Sequence, residues 1–166
     1  MSATSENGRV TAPAIRDRKP SDLPRCVDLL AVVHRADGYP LHWPTDPHGW
    51  LWPPEQQHAW VAEDDEAGLV GHLAVHSSDD ETGHEVSRLF VAPTFRRRHV
   101  GTALLRQARR WAVDHRVGLT LEVVDRQRSP AVALYERDGW RHTATVTADW
   151  TAPDGGPVTL RRYTLG

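Results

Sequence analysis

Between Pro93 and Leu105 the chain runs through Arg96, Arg97, Arg98, His99, Val100, Gly101, Thr102 and Ala103. These are residue types suited to holding an anion. Leu89, Phe90 and Val91 before them read as the end of a strand. Leu104, Leu105, Ala108, Trp111 and Ala112 after them recur on one helical face. A helix that begins near Gly101 leaves backbone N–H groups without intrahelical partners, at the positive end of its dipole, where phosphate binds. The flanking arginines add charge-assisted hydrogen bonds, and Gly101 lets the backbone come close to a bulky anion. This physics specifies a pyrophosphate or another anion without saying which.

Other side chains could move protons. Glu85 lies early on the strand that leads into the loop, and strict alternation would put Glu85, Ser87, Leu89 and Val91 on one face. Tyr135 carries a phenol that can donate a proton, or it only packs in a helix face. His34, His42 and His72 are reserve bases, because an imidazole pKa of about 6.5 suits the task. Metal chemistry finds no support. His84-Glu85 starts like a zinc-protease motif, but the fifth position is Arg88. His72 and His76 share a strand face about 13 Å apart, too far for one ion. Cys26 and Lys19 are the only residues of their kinds, which excludes an intrachain disulfide and a cysteine cluster and argues against Schiff-base chemistry. There is no Walker loop and no nucleophile elbow.

The elements that must position these groups follow from pattern and punctuation. Residues 1–12 read as a flexible tail and 13–166 as one domain. Ala14 to Arg16 is a short strand, and Ser21 or Asp22 caps a helix that Gly38 ends. Leu23, Val27, Leu30 and His34 recur along it at helical spacing. From 38 to 57, Tyr39, Trp43, Trp50 and Trp52 alternate with prolines that prevent a long helix. That segment either fills the core or walls an acceptor pocket, with His34, Tyr39, Trp43 and Trp52 as candidate substrate contacts. Strands at 58–63 and 69–76 form a hairpin, and 85–91 and 118–125 are further strands. A helix spans 101–116. Ser129-Pro130 starts a shorter helix that Gly139 ends. Strands at 141–150 and 158–165 close the chain as a hairpin.

Composition fits one ordinary globular domain: 166 residues, 39% apolar and 25% charged. A net charge of −2 supplies no field for nucleic acid, and three adjacent arginines do not change that. No apolar run approaches the roughly 20 residues of a membrane span. A cytoplasmic location and a monomer or homodimer are expected.

The loop and the later helix together resemble the GNAT superfamily of acyl-coenzyme A-dependent N-acyltransferases. That family's pyrophosphate motif, Gln/Arg-x-x-Gly-x-Gly/Ala after a strand and a proline, falls on Arg96, His99 and Gly101. His99 replaces the first glycine, so a positive φ there would be strained. The family's later pattern, Asn-x-x-Ala-x-x-Leu-Tyr-x-x-x-Gly-Phe, falls on Arg128, Ala131, Leu134, Tyr135, Gly139 and Trp140. Arg128 stands in place of the asparagine, where it could reach a phosphate.

The resemblance covers residues 13–166 and implies an α/β (α+β) fold: a mixed, mostly antiparallel twisted sheet of about six to seven strands with about four helices. Two strands, 85–91 and 118–125, should splay apart around the cofactor. It implies acetyl-coenzyme A as cofactor, its arm on the backbone of Leu89, Phe90 and Val91, and its phosphates on residues 96–103 with Arg128 and Ser129. It implies Tyr135 as the acid that protonates the leaving thiolate and Glu85 as the base that deprotonates the amine. The function implied is acetyl transfer to a primary amine of a small molecule. A non-catalytic acyl-coenzyme A sensor, or an enzyme acting on a protein N-terminus or lysine, are the alternatives.

Overall fold

The structure, a computed structural model, describes residues 12–78, 83–126 and 129–165. The expected tail (except residue 12), Arg128 and most of the turn before Gly83 lie outside the described residues. Eleven elements carry the fold: β1 (Ala14–Asp17), α1 (Leu23–Asp37), α2 (Pro47–Leu51), β2 (Gln56–Asp64), β3 (Gly68–Ser77), β4 (Gly83–Val91), α3 (Val100–His115), β5 (Gly118–Val124), α4 (Pro130–Arg137), β6 (Arg141–Thr151) and β7 (Pro157–Leu165). Short 3₁₀ turns at Pro20–Asp22 and Pro93–Phe95 join them.

The strands form one sheet in the order β1-β2-β3-β4-β5-β7-β6. Only β4 and β5 run parallel; the other neighbours are antiparallel. This is the mixed, mostly antiparallel sheet that the resemblance implies. The parallel pair is joined through α3, as a parallel connection requires.

Helices cover both faces. Apolar side chains of α3, Leu104, Leu105, Ala108 and Ala112, are buried, as the sequence pattern predicts. They pack where β3 offers Gly71: a Cβ there would meet Leu104 and Val100 at 3.0 Å, so the helix approaches as closely as a glycine allows. α4 lies beside α3, with Leu134 against Gly101. α1 packs on β3 and β4 from the other face. Its buried residues are Cys26, Leu29, Leu30 and Val33. The predicted stripe is therefore turned, and Leu23 and Val27 sit at its margin.

Capping follows the sequence signals at α4 and at the end of α1, but the expected Ser21 or Asp22 cap of α1 is not made: Asp22 precedes Leu23 without a side-chain cap bond, because its carboxylate accepts from Lys19 N–H (2.7 Å) and from arginines instead. The Ser129 hydroxyl accepts from Val132 N–H (3.4 Å) at the start of α4, and Gly38, at φ 69°, ends α1. Near β1, Asp22 is buried and bonded to Arg16 and Arg25, and the Arg16 guanidinium holds its carboxyl well below the usual range.

Candidate active site

β4 ends at Val91, and Ala92 N–H ties to Val70 C=O (2.8 Å), anchoring the chain before it turns. Phe95 is buried beneath the loop, with Arg98 stacked 4.7 Å from its ring centroid. Arg96, Arg97, Arg98 and His99 are exposed, while Val100 is buried. Arg97 and His99 adopt φ values of 63° and 61°, so His99 takes the left-handed conformation that the missing glycine would have supplied. The first backbone bond of α3 runs from Ala103 N–H to His99 C=O (3.0 Å). The N–H groups of Val100, Gly101 and Thr102 stand ahead of that ladder.

A hollow of about 260 Å³ beside the helix start is lined by Arg98, His99, Val100, Thr102, Ala103 and Arg106, together with Ala12 and Pro13. Gly101 has a packing reason as well as a ligand one: a Cβ there would stand 3.0 Å from Leu134. Arg96 is not idle. Its guanidinium forks onto the Asp37 carboxylate at the end of α1, with Nη1 to Oδ1 at 2.8 Å.

β4 and β5 pair only from Gly83–Gly118 to Val86–Leu121. Beyond that register they part, which opens the expected gap. Tyr135 is 7% exposed, between Trp140 and Tyr163 (ring centroids 6.3 and 6.1 Å). Its hydroxyl makes no hydrogen bond among the described residues. Burial pushes the phenol well above its ordinary range, and the nearby Tyr39 phenol raises it further. Such a phenol stays protonated at neutral pH, so it can offer its O–H to a group on which negative charge develops. A second hollow, of about 470 Å³, lies between the end of β5 and α4 and includes Asp125, Arg126, Ser129 and Arg161.

A bulge in β4 changes one expectation. His72 pairs with Phe90, but Ala74 pairs with Ser87, so β4 holds an extra residue here, with Arg88 at φ 55°. Cross-strand partners share a face. Glu85, opposite His76, and Ser87, opposite Ala74, therefore lie with Phe90 on the α1 side, whereas Val91 lies opposite Gly71 on the α3 side. Glu85, Ser87, Leu89 and Val91 do not share one face, because the bulge inverts the alternation beyond Ser87.

On that α1 side the segment after Gly38 folds down. Tyr39 packs against Trp50 (6.2 Å) and Phe90 (6.4 Å), and burial pushes its phenol up to about 12. Trp43 lies tilted against His34 (5.4 Å), whose Nδ1 bonds Pro40 C=O (2.8 Å). Trp43 and Trp52 are 41% and 46% exposed, too open to form the inner wall of a pocket. His42 bonds Thr151 C=O and its ring meets Trp150 (6.1 Å), closing the segment against the end of β6.

His72 is not an available base. It is fully buried, Nδ1 bonds Arg88 C=O (2.8 Å), Nε2 faces Arg18 Nη1 (2.9 Å), and burial pushes its pKa down to about 3. Sequence reasoning missed Arg18 and Arg88 as parts of this region, and it named Trp50 in the aromatic segment without making it a candidate contact. Arg88 stacks on Trp50 (3.9 Å) and Arg18 on Trp52 (5.1 Å). The aromatic segment was the only local signal for them.

The chain matches the acetyltransferase (GNAT) family model over residues 25–140 and belongs to that family. It is an acyltransferase whose donor is acetyl-coenzyme A. The open N–H groups ahead of α3, the guanidinium groups beside them and the parted strands fit such a donor. The fold is similar to that of Arabidopsis thaliana NAA60 in complex with acetyl-CoA, at TM-score 0.73 and 19% identity, over 92% of this chain and 97% of that one. It is similar also to the ribosomal-protein-S18-alanine N-acetyltransferase from Escherichia coli (TM-score 0.71, 17% identity, 92% of each chain). An aminoglycoside 6'-N-acetyltransferase complexed with coenzyme A matches at TM-score 0.72 and 15% identity, over 92% and 96% of the two chains. No curated protein matches the sequence. Among the described residues no helix is long and apolar enough to cross a membrane, and no group of side chains could hold a metal ion.

Proposed function

We propose that the chain acetylates a primary amine of a small molecule by direct attack within a ternary complex. The observation that carries this reading is the end of β4–β5 pairing at Val86 and Leu121, with the α3 start next to it and the buried Tyr135 packed on Tyr163, the β7 partner of Leu121. The N–H groups of Val100, Gly101 and Thr102, with Arg96, Arg97, Arg98 and His99, would hold the diphosphate; Thr102 and Ala103 also line the hollow beside it. The backbone of Leu89, Phe90 and Val91 would hold the pantetheine arm, and Ser129 and Arg128 would flank it. The bound donor supplies a thioester activated for acyl transfer.

The residues of the chain divide the proton work. Glu85, on the α1 face, takes the proton of an ammonium whose pKa is about 10.4 in water, directly or through water. Strand N–H groups at the β4 bulge stabilise charge on the carbonyl oxygen. Tyr135, kept protonated by burial, donates to the departing thiolate. Tyr39 forms the acceptor wall, with His34, Trp43 and Trp52 at its rim. The closure of the 38–55 segment on β6 through His42 and Trp150 narrows the acceptor side, which favours a small acceptor over a peptide.

The test is acetyl-coenzyme A-dependent thiol release with mass detection of the acetylated product, run on small amines and on peptides with free N-termini and lysines. Acetylated small amines support the proposal. Turnover of peptides alone supports a protein acceptor, and tight donor binding without turnover supports a sensor.

A further inference from the structure

Arg88 has no assigned task in the chemistry above, yet the fold invests in its position. Its guanidinium is stacked 3.9 Å from the Trp50 ring centroid; Nε donates to Trp50 C=O (3.1 Å) and Nη1 to Ser87 Oγ (3.2 Å). Nη2 makes no hydrogen bond among the described residues. No carboxylate among them lies within ion-pair distance of the group; Glu55 and Glu85 act on it only from further away. A half-buried cation without a counter-ion is costly, and an arriving anion removes much of that cost. The edge of a guanidinium left open in this way matches a carboxylate, with two parallel N–H donors.

The backbone beneath it is also held. Arg88 occupies the left-handed region at φ 55°, unusual for a side chain of this size. Its carbonyl accepts from His72 Nδ1 (2.8 Å), and Arg18 Nη1 donates to His72 Nε2 (2.9 Å). Strain persists where surroundings over-determine it, and such places cluster at ligand clamps. Arg88 lies three positions after Glu85 along β4, and its charge senses both Glu85 and Tyr39.

We infer that Arg88 is the anion anchor of the acceptor site, so that the acceptor is an amine that also carries an acidic group, a carboxylate foremost. This inference rests on the acetyltransferase reading and narrows it. An acid held on Arg88 would bring the amine of a compact amino acid toward Glu85 and the parted strands. Arg18 and His72 are positioning residues that fix the bulge.

Matched acceptors test it: alanine, methionine, phenylalanine and glutamate, their amides, the decarboxylated amines, and 2-aminoethylphosphonate. The wild-type protein is expected to use the acids at least about tenfold better in kcat/KM than the amides and amines. The phosphonate separates a general anion site from one shaped for carboxylate. Arg88→Gln is expected to cut the acid-to-amide ratio at least about tenfold, through KM, and Arg88→Lys to restore part of it. Equal or better use of the neutral amines by the wild-type protein would overturn the inference and leave the acetyltransferase reading intact. So would an unchanged acid-to-amide ratio in a folded Arg88→Gln variant. If that variant does not fold, the wild-type selectivity decides alone. Bound acetyl-coenzyme A with no acceptor turned over would defeat both readings.

Discussion

The loop ahead of α3 and the ground beneath α2 both concentrate arginine, and they hold it in opposite ways. Arg96, Arg97 and Arg98 are exposed, on the loop proposed to hold the donor's diphosphate largely through backbone N–H groups. Arg18 and Arg88 are half-buried, stacked on tryptophans and joined through the fully buried His72. The first arrangement suits a ligand with a large, solvated, multiply charged group, because several donors share it and none is decisive. The second suits a small ligand read by a few desolvated groups, where each lost partner is expensive. The comparison teaches that donor affinity should degrade gradually with mutation and acceptor recognition abruptly.

The largest expected effect falls between the two regions. Tyr135→Phe should lower kcat by about a hundredfold or more while acetyl-coenzyme A affinity holds. Unchanged turnover across pH would remove Tyr135 as the acid.

Acid sensitivity of folding comes next and belongs to the buried side. Burial, the main cause, pushes His72 down to about 3 and His76 to about 4, from about 6.5 when unfolded. Between those values the unfolded chain binds more protons than the folded one, so stability rises with pH there and is lost as pH falls from 6.5 toward 4. Each histidine should contribute a slope of about 1.4 kcal/mol per pH unit in that window. Chemical denaturation at pH 7, 6 and 5 reads it, and a folded His72→Gln variant should show the smaller slope.

On the exposed side, His99→Gly should stabilise the fold by about 1 kcal/mol, because it relieves a left-handed residue, and raise Tm by about 2–4 °C. Asp37→Asn should tighten acetyl-coenzyme A binding by less than about fivefold, since it removes an exposed carboxylate that competes for Arg96. Weaker binding in that variant would mean that the Asp37 pair positions Arg96 for the donor instead of withholding it.

What was legible in the sequence was local. The strand–loop–helix unit from Leu89 to Ala112, the capped start at Ser129 and the positive φ required at His99 are all encoded within a few residues of where they act. The parting of β4 and β5 came with the family resemblance. The bulge at Arg88 was not read, because the break it leaves in the alternation, polar Ser87-Arg88 followed by apolar Leu89-Phe90-Val91, also fits a strand that becomes buried on both faces at its end. Its anchors are distant in sequence: His72 lies sixteen residues before Arg88 and Arg18 fifty-four residues before His72. For the same reason His72 read as a reserve base. Trp52 was a candidate substrate contact and Trp50 was not, whereas the short α2 turn places Trp50 over Arg88 and leaves Trp52 46% exposed.

The division between the two arginine regions is tested most directly by titrating acetyl-coenzyme A into Arg96→Ala and Arg88→Gln by calorimetry. The account predicts a Kd raised by about threefold to tenfold for Arg96→Ala and an unchanged Kd for Arg88→Gln. The reverse pattern, with donor affinity lost at Arg88 and kept at Arg96, would contradict it.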